Sequence, residues 1–387
     1  MGRRFGTVVS DHRCRCCGAA GLTVRLDRRA VPVENSRLLT SAAEAAAVPR
    51  GDLLLEQCDR CGFVQNSAFD PALVTYDDDY LSDQSGSPYF RAFADRIVAE
   101  LVERFDLAGA TTLEIGCGGG EFLERVCAAT RGPGFGLDPV APAGRSGAAV
   151  QFRREAFGSG SGDFGADLVV CRHTLEHLPE VEEFLCTLRG EFAARPDAVL
   201  CLEIPDAGRI LAEGAFWDLY YEHCSYLDRA GLEALLIRTG FEVVECRLDY
   251  GDQYLLAFAR PCAEPVDVVP DRAVGSFAAL DRSIDRWRTW AVAQAAAGTR
   301  VALWAASSKA VAFQAAIEEL PVVAAVDVNP AKAGRYLPVS ATPVVAPDDI
   351  PRLDLGTIVV MNPLYVGEIR AMLRDLGVEA ELLALEP

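Results

Sequence analysis

The chain has 387 residues, half of them hydrophobic, enough for two or three domains with substantial cores. Its 56 acidic residues outweigh 37 basic ones for a formal net charge of −19, which disfavours nucleic acid and anionic membranes as partners. The opening residues lack the apolar core of an export signal and no later apolar run reaches about 18 residues, so the expectation is a soluble, cytoplasmic protein.

Of thirteen cysteines, eight lie singly among apolar residues and read as buried thiols. The other five fall in CysArgCysCysGly, residues 14–18, and CysAspArgCysGly, residues 58–62. Each segment holds a C-x-x-C followed by glycine, the form of a zinc knuckle, and two knuckles make a closed tetrahedral site. Cys14, Cys17, Cys58 and Cys61 are the expected ligands, with Cys16 as a spare thiol and His12 as a lesser candidate. Four thiolates leave no open position, so the zinc is expected to be structural. Residues 39–47 read as a short helix behind a Ser or Thr cap, and residues 53–57 as a strand entering the second knuckle. So small a module buries little, and a metal would supply much of its stability.

Residues 75–90 are polar and carry spaced tyrosines, Tyr76 and Tyr80 among them. Their Asp run and Ser/Gly content suit a solvated linker; a lid is what the resemblance given below implies, because Tyr76 and Tyr80 recur in it. Apolar residues at helical spacing over residues 91–105 predict a helix packed under a sheet.

Residues 111–120, Thr-Thr-Leu-Glu-Ile-Gly-Cys-Gly-Gly-Gly, describe a buried strand turning sharply into a helix that begins at residue 121. Glycines 116, 118 and 120 clear side chains from a place where backbone approaches a ligand. A dinucleotide fold wants G-x-G-x-x-G, but its third glycine would be Glu121, whose charge opposes phosphates. Glu114-x-Gly116-x-Gly118-x-Gly120 instead resembles the first motif of class I S-adenosylmethionine (SAM) methyltransferases, whose glycines border the amino-acid end of the cofactor. That resemblance implies a SAM site at Glu114, Gly116, Gly118 and Gly120. It adds Asp138, the acid at the tip of the next strand, as acceptor of both ribose hydroxyls. Asp138 follows about twenty residues on, the distance of one βαβ step.

A Gly/Ser-rich loop at residues 158–165 leads to a strand at 166–171 and then to ArgHisThrLeuGluHis, residues 172–177. Class I methyltransferases commonly carry a Leu-Glu-His helix start at this strand exit, which makes His173 and His177 architectural rather than catalytic. A strand at 198–205 takes the next position. Residues 216–227 then put Tyr220, Glu222 and His223 together. Histidine can take a proton near neutral pH, a neighbouring glutamate can orient it or hold charge, and tyrosine hydroxyls can stabilise an oxyanion. The competing reading is a surface Glu–His pair beside core aromatics.

Strand-rich segments at 241–248 and 253–259 close this domain, and prolines mark residues 261–270 as a linker. A helix at 272–297 precedes a second Rossmann-like half, with strands near 299–304, 322–328 and 357–363. The expected division is 1–75 zinc-binding module, 76–260 methyltransferase domain with lid, 261–298 linker and helix, and 299–387 substrate-binding module.

Zinc knuckles, lid, SAM loop, the Arg-His-x-Leu-Glu-His exit and Tyr-x-Glu-His-x-Ser-Tyr together resemble the three-part C-methyltransferases of deoxysugar biosynthesis, over nearly the whole chain. Those enzymes attach a methyl branch to a nucleotide-linked keto sugar. The resemblance implies an α/β fold: a class I Rossmann-like domain between an N-terminal zinc module and a second C-terminal Rossmann-like module. It implies SAM and structural zinc as cofactors, a nucleotide-linked sugar as acceptor and His223 as base, with Tyr220, Tyr76 and Glu222 holding the sugar or its enolate.

The chain departs from that pattern in places. Leu303, Trp304 and Ala305 stand where Gly-Tyr-Gly is usual, Ala310 replaces a glycine, the lid lacks consecutive serines, and Tyr221 takes a position often filled by histidine. A methyltransferase acting at carbon, oxygen or nitrogen of a non-sugar intermediate is therefore the alternative, and a non-catalytic SAM or nucleotide binder is the reading of another class. An open basic cleft between Lys309, Arg335 and the middle domain would favour the sugar nucleotide. A cleft filled by Trp304 would disfavour it.

Overall fold

The computed structural model describes residues 9–386 except 81–83, 143, 146, 148, 193, 194, 263 and 271–276. The described residues form three sheets. In the first, β1 (Val9–Ser10), β2 (Leu22–Pro32), β3 (Arg50–Cys58) and β4 (Val64–Asn66) pair antiparallel in sequence order. β3 contains the expected strand and buries Leu53 and Leu55. The helix expected nearby is Ala42–Ala46, where the Ser41 hydroxyl accepts the Glu44 N–H. β2 has no clear sequence signal, because Arg25, Asp27, Arg28 and Arg29 interrupt the alternation that marks a half-buried strand. Pairing with β3 holds it.

The fifth strand of this sheet comes from far along the chain. β10 (Ser225–Tyr226) pairs with β4, setting Ser225 opposite Gln65. The segment carrying Tyr220, Glu222 and His223 is thereby fastened to the N-terminal sheet.

The second sheet contains β5 (Thr112–Ile115), β6 (Gly134–Leu137), β7 (Val150–Arg153), β8 (Leu168–Arg172), β9 (Val199–Pro205), β11 (Phe241–Asp249) and β12 (Tyr254–Pro261). Its order is β11-β12-β9-β8-β5-β6-β7, parallel from β7 to β9, with β12 and β11 added antiparallel. β5 and β8 are buried along their whole length and read as the near-continuous apolar runs of a covered parallel sheet. The helix Pro88–Phe105 buries Phe93, Ile97 and Leu101, and it starts three residues before the expected position. Ser87 caps it with a hydroxyl that accepts the Phe90 N–H, and Pro88 fits the first turn, where no N–H is needed.

The third sheet is wholly parallel. Its strands β13 (Val301–Trp304), β14 (Val322–Val326), β15 (Val344–Val345), β16 (Thr357–Val360) and β17 (Glu381–Ala384) lie in the order β15-β14-β13-β16-β17. The expected helix before it is described over Ala278–Ala297, the residues from 272 to 276 lying outside the described set. One apolar cluster runs through all three units, joining Leu53 and Leu55 to Phe216 and Trp217 and on to Phe313 and Leu337.

In the second sheet strand order reverses at β5, and in the third at β13. In open α/β sheets ligands bind at such reversals, outside the carboxyl ends of the strands. Both reversals open on the same cavity. No helix of the described residues is long and apolar enough to cross a membrane.

Candidate functional site

The two cysteine segments fold alike. In each, the glycine N–H donates to the carbonyl of the first cysteine at 2.8 Å, and that cysteine N–H donates to the residue after the glycine at 2.9 Å. Gly18 and Gly62 take left-handed backbone, φ +66° and +69°. The sulfurs of Cys14 and Cys61 are 3.6 Å apart, those of Cys17 and Cys58 are 3.7 Å apart, and all four lie within 4.8 Å of one another. A tetrahedral centre with bonds of about 2.3 Å separates its sulfurs by about 3.8 Å, so the four thiols suit one metal ion. Cys16 stands outside the group of four, its sulfur beside Cys61 and 3.4 Å from the Arg238 guanidinium, and His12 pairs instead with Glu56 at 2.8 Å.

β5 delivers the glycine turn to the cavity, which measures about 590 Å³. Gly116, Gly118 and Gly120 all have positive φ. A Cβ on Gly116 would fall 1.9 Å from the Thr174 hydroxyl, whereas one on Gly118 would meet nothing within 4 Å. Asp138, at the end of β6, accepts the Gly118 N–H at 2.9 Å through one oxygen and the Val140 N–H at 2.8 Å through the other. Glu114 is buried with one carboxylate oxygen unpartnered, and burial, opposed by Arg172, pushes it up to about 8. Gly116→Ala combines this clash with left-handed backbone. It is expected to weaken SAM binding at least tenfold, as read by calorimetric titration.

Next to the turn is a buried ionic chain. Arg172 donates to Glu203 through two nitrogens at 3.1 and 2.8 Å, and His173 reaches the same carboxylate at 2.7 Å. Against the cost of burial, Arg172 and His173 hold Glu203 down at about 2. Although burial opposes its charge, Glu176 and Glu203 push His173 up to about 9.

The structure brings Tyr220 and His223 together: the phenol and Nε2 share a 2.7 Å hydrogen bond. Ser308 of the third unit is a further partner of that phenol. His223 is buried with Nδ1 unpartnered, and burial, followed by the like charges of His177, His173 and Lys309, holds it well below the usual histidine range. The ring is therefore a neutral base at physiological pH. His177 stands edge-on to it with centroids 4.8 Å apart, and Tyr76 reaches His177 Nδ1 at 3.3 Å from across the cavity.

Glu222 does not join its sequence neighbour. It accepts the Asn35 and Ser36 N–H groups at 2.6 and 3.3 Å, and the Tyr80 hydroxyl reaches its other oxygen at 3.4 Å. Burial pushes this carboxyl up to about 7 despite those donors. A raised acid binds its proton more tightly when folded, so this term lowers stability as pH rises from about 4.5 to 7, by about 3 kcal/mol in all. Glu222→Gln is accordingly expected to gain stability over the wild type between pH 5 and pH 8, measured by urea unfolding at each pH.

The Asp run of residues 77–79 is tied down by ion pairs. Asp77 pairs with Arg37, Asp78 with Arg154 and Asp79 with Arg335, so consecutive aspartates are fastened to three different units. Exposed pairs of this kind contribute little stability singly, but they fix where Tyr76 and Tyr80 stand.

The wall formed by the third unit differs from a basic cleft. Lys309 is held by Asp218 at 3.1 Å, with Arg209 on the same carboxylate, and Arg335 is engaged by Asp79 and the Leu38 carbonyl. Trp304 is buried among Val326, Ile358 and Val360 and does not fill the cavity. The Ala306 N–H of the β13 turn donates to Asp327, which Lys332 also contacts. Tyr221 belongs to the core, with its hydroxyl accepting the Asp70 N–H at 2.8 Å. Glu176, read from sequence only as part of an architectural turn, faces the cavity beside His223. Its signal was its spacing, one residue before His177 and three after His173.

Residues 89–246 match the family model of a methyltransferase domain, and residues 276–379 that of a C-methyltransferase C-terminal domain. No curated protein matches the chain. Among solved structures, the chain is similar to magnesium protoporphyrin IX methyltransferase from Synechocystis PCC 6803 with bound SAH, at 18% identity and TM-score 0.36 over 45% of this chain and 84% of that one. It is also similar to 1,6-didemethyltoxoflavin-N1-methyltransferase from Burkholderia thailandensis, at 16% identity and TM-score 0.36 over 54% and 97%.

Proposed function

We propose that this chain, a SAM-dependent methyltransferase with a C-methyltransferase C-terminal domain, methylates a carbon beside the carbonyl of a nucleotide-linked keto-deoxysugar by way of its enolate. The observation that carries the reading is the buried Tyr220–His223 pair on the same cavity as the glycine turn. A neutral imidazole and a phenol at 2.7 Å can take a proton from carbon and supply one hydrogen bond to the oxygen where charge develops.

Gly116, Gly118, Gly120, Glu114 and Asp138 would hold the cofactor. The open space over Gly118 and the unpartnered oxygen of Glu114 fit the backbone approach and the ammonium of SAM. Bound there, SAM supplies an electrophilic methyl group on a sulfonium. His223 takes the proton from the carbon, leaving the electron pair in the enolate. As the proton leaves carbon, the phenol hydrogen turns from Nε2 to the carbonyl oxygen that becomes the enolate, which frees the one lone pair of Nε2 to take the proton. Tyr76 and Tyr80 cover the cavity from the lid, and Glu222 acts at one remove by holding Tyr80. The walls hold the reacting carbon in line with the methyl group. Zinc at Cys14, Cys17, Cys58 and Cys61 would hold the N-terminal sheet against this site.

A non-sugar acceptor is the second reading, favoured by the neutralised third-unit wall. For a diphosphate, Arg91 offers a cavity-lining guanidinium that meets the Ser85 and Gly86 carbonyls and no carboxylate among the described residues. The test is incubation with labelled SAM and a panel of nucleoside-diphosphate keto-deoxysugars in deuterated water. Methyl transfer with deuterium exchange beside the carbonyl supports the sugar enolate. SAM binding with neither transfer nor exchange across the panel sinks it in favour of the second reading.

A further inference from the structure

The turn Leu175–His177, which follows β8, carries a charge that the mechanism above does not use. Glu176 is 4% exposed, and neither carboxylate oxygen has a hydrogen-bond partner. Buried carboxylates are normally met by donors, so one without any points to a proton or cation that arrives during function. Its surroundings are imidazoles: His173 Nδ1 at 3.6 Å and His223 Nε2 at 4.0 Å. His173 is shared between two carboxylates, Glu203 at 2.7 Å and Glu176 at 3.6 Å, so Glu176 has half of one cation beside it and faces His223 with the rest of its charge.

The backbone fixes the second relation. Cys224 N–H donates to the Glu176 carbonyl at 2.9 Å, and the Ser225 hydroxyl donates to the Leu178 carbonyl at 2.6 Å. The segment holding His223 is thus pinned to the turn holding Glu176 by the two residues that follow the ring.

We propose that Glu176 is the positioning residue of the base, the anion that stabilises His223 after the imidazole has taken the substrate proton. The proposal rests on the assignment of His223 as base. In the resting state Nε2 and the Tyr220 phenol share their hydrogen bond, and the carboxylate stands aside at 4.0 Å. When the C–H bond breaks, its electron pair stays on the substrate and its proton goes to the ring, which then carries hydrogen on both nitrogens. Nε2–H becomes a donor facing both the phenol oxygen and Glu176. The new positive charge meets an anion already in place, with no reorganisation at the moment of reaction.

The other groups around the ring make such an anion necessary. His177, His173 and Lys309 all oppose a positive charge there. Tyr220 lies tilted against the ring and Tyr226 edge-on to it, both as neutral phenols, Tyr76 meets it only through His177, and Glu222 faces Asn35 instead. Glu176 is the carboxylate on the ring's side.

Glu176→Gln keeps the side-chain size and the backbone bond to Cys224. The chain has four histidines, so the imidazole nitrogens can be assigned by NMR and His223 titrated without any acceptor. The expected result is a His223 pKa lowered by about one to three units in the variant, the effect of removing an opposite charge within about 4–6 Å, with SAM affinity unchanged. In turnover, methyl transfer and deuterium exchange should fall together by about tenfold or more at constant KM, each pKa unit being worth a factor of ten, and Glu176→Asp should recover part of the loss.

Identical His223 titrations in the two proteins overturn the proposal whatever the acceptor. So does a defect confined to SAM affinity, which would put Glu176 in the cofactor site. A second equivalent of Co²⁺ bound by the wild type and lost in Glu176→Gln also overturns it, by giving the carboxylate to a metal. Failure of the base assignment looks different: His223→Ala keeps deuterium exchange while the wild-type titration still shows the coupling to Glu176.

Discussion

His223→Ala should bind SAM as the wild type does and lose methyl transfer by about 10² to 10⁴-fold, the range for removing a positioned general base. The two halves of this result come from separate elements. The glycine turn and Asp138 sit at the ends of β5 and β6, whereas His223 sits on the segment that β10 ties to the N-terminal sheet. The ring is buried against Tyr220 and His177, so its removal leaves a local gap and no change in the turn. Calorimetric titration with SAM and single-turnover methyl transfer would be measured together. Full turnover by the variant removes His223 as base, and a parallel loss of SAM binding would mean that the segment supports the cofactor turn. Tyr220→Phe should lose less, because the base remains and only one hydrogen bond to the oxyanion is gone.

The parts of this site that sequence revealed are those whose chemistry is local. Three alternating glycines announce the turn because backbone angle and side-chain absence are properties of single residues, and a C-x-x-C announces paired thiols because one turn points both the same way. Charges were harder to read, because partners are chosen by the fold. Whether Lys309 and Arg335 make a basic cleft could not be read from the chain, because Asp218 and Asp79, 91 and 256 residues away, neutralise them. Glu222 precedes His223 directly, but on an irregular segment adjacent side chains face opposite ways, and Glu222 went to Asn35. Glu176 went unnoticed for the complementary reason: its relation to His223 spans 47 positions and depends on one backbone hydrogen bond, Cys224 N–H to its carbonyl. β2 was missed because Arg25, Asp27, Arg28 and Arg29 break its alternation, and only pairing with β3 makes it a strand.

Cys58→Ser is expected to lose the metal and to lose methyl transfer with it, although Cys58 lies outside the cavity lining. A structural zinc in a small module is worth about 10 kcal/mol or more of folding free energy, so under the proposed zinc site a missing ligand would leave the N-terminal sheet without that support. The consequence travels by two contacts. β4 pairs with β10 beside His223, and the Asn35 and Ser36 N–H groups hold Glu222, which in turn holds Tyr80 of the lid. Metal analysis should find one zinc per wild-type chain and none in Cys58→Ser, with an early thermal transition in the variant. Cys16→Ser supplies the control, since that sulfur faces Arg238 and stands outside the cluster of four. It should keep its zinc and its activity. A wild-type protein without zinc, or a Cys58→Ser protein that keeps both metal and turnover, would show that the four thiols pack as ordinary core and that the sheet needs no metal to hold the base in place.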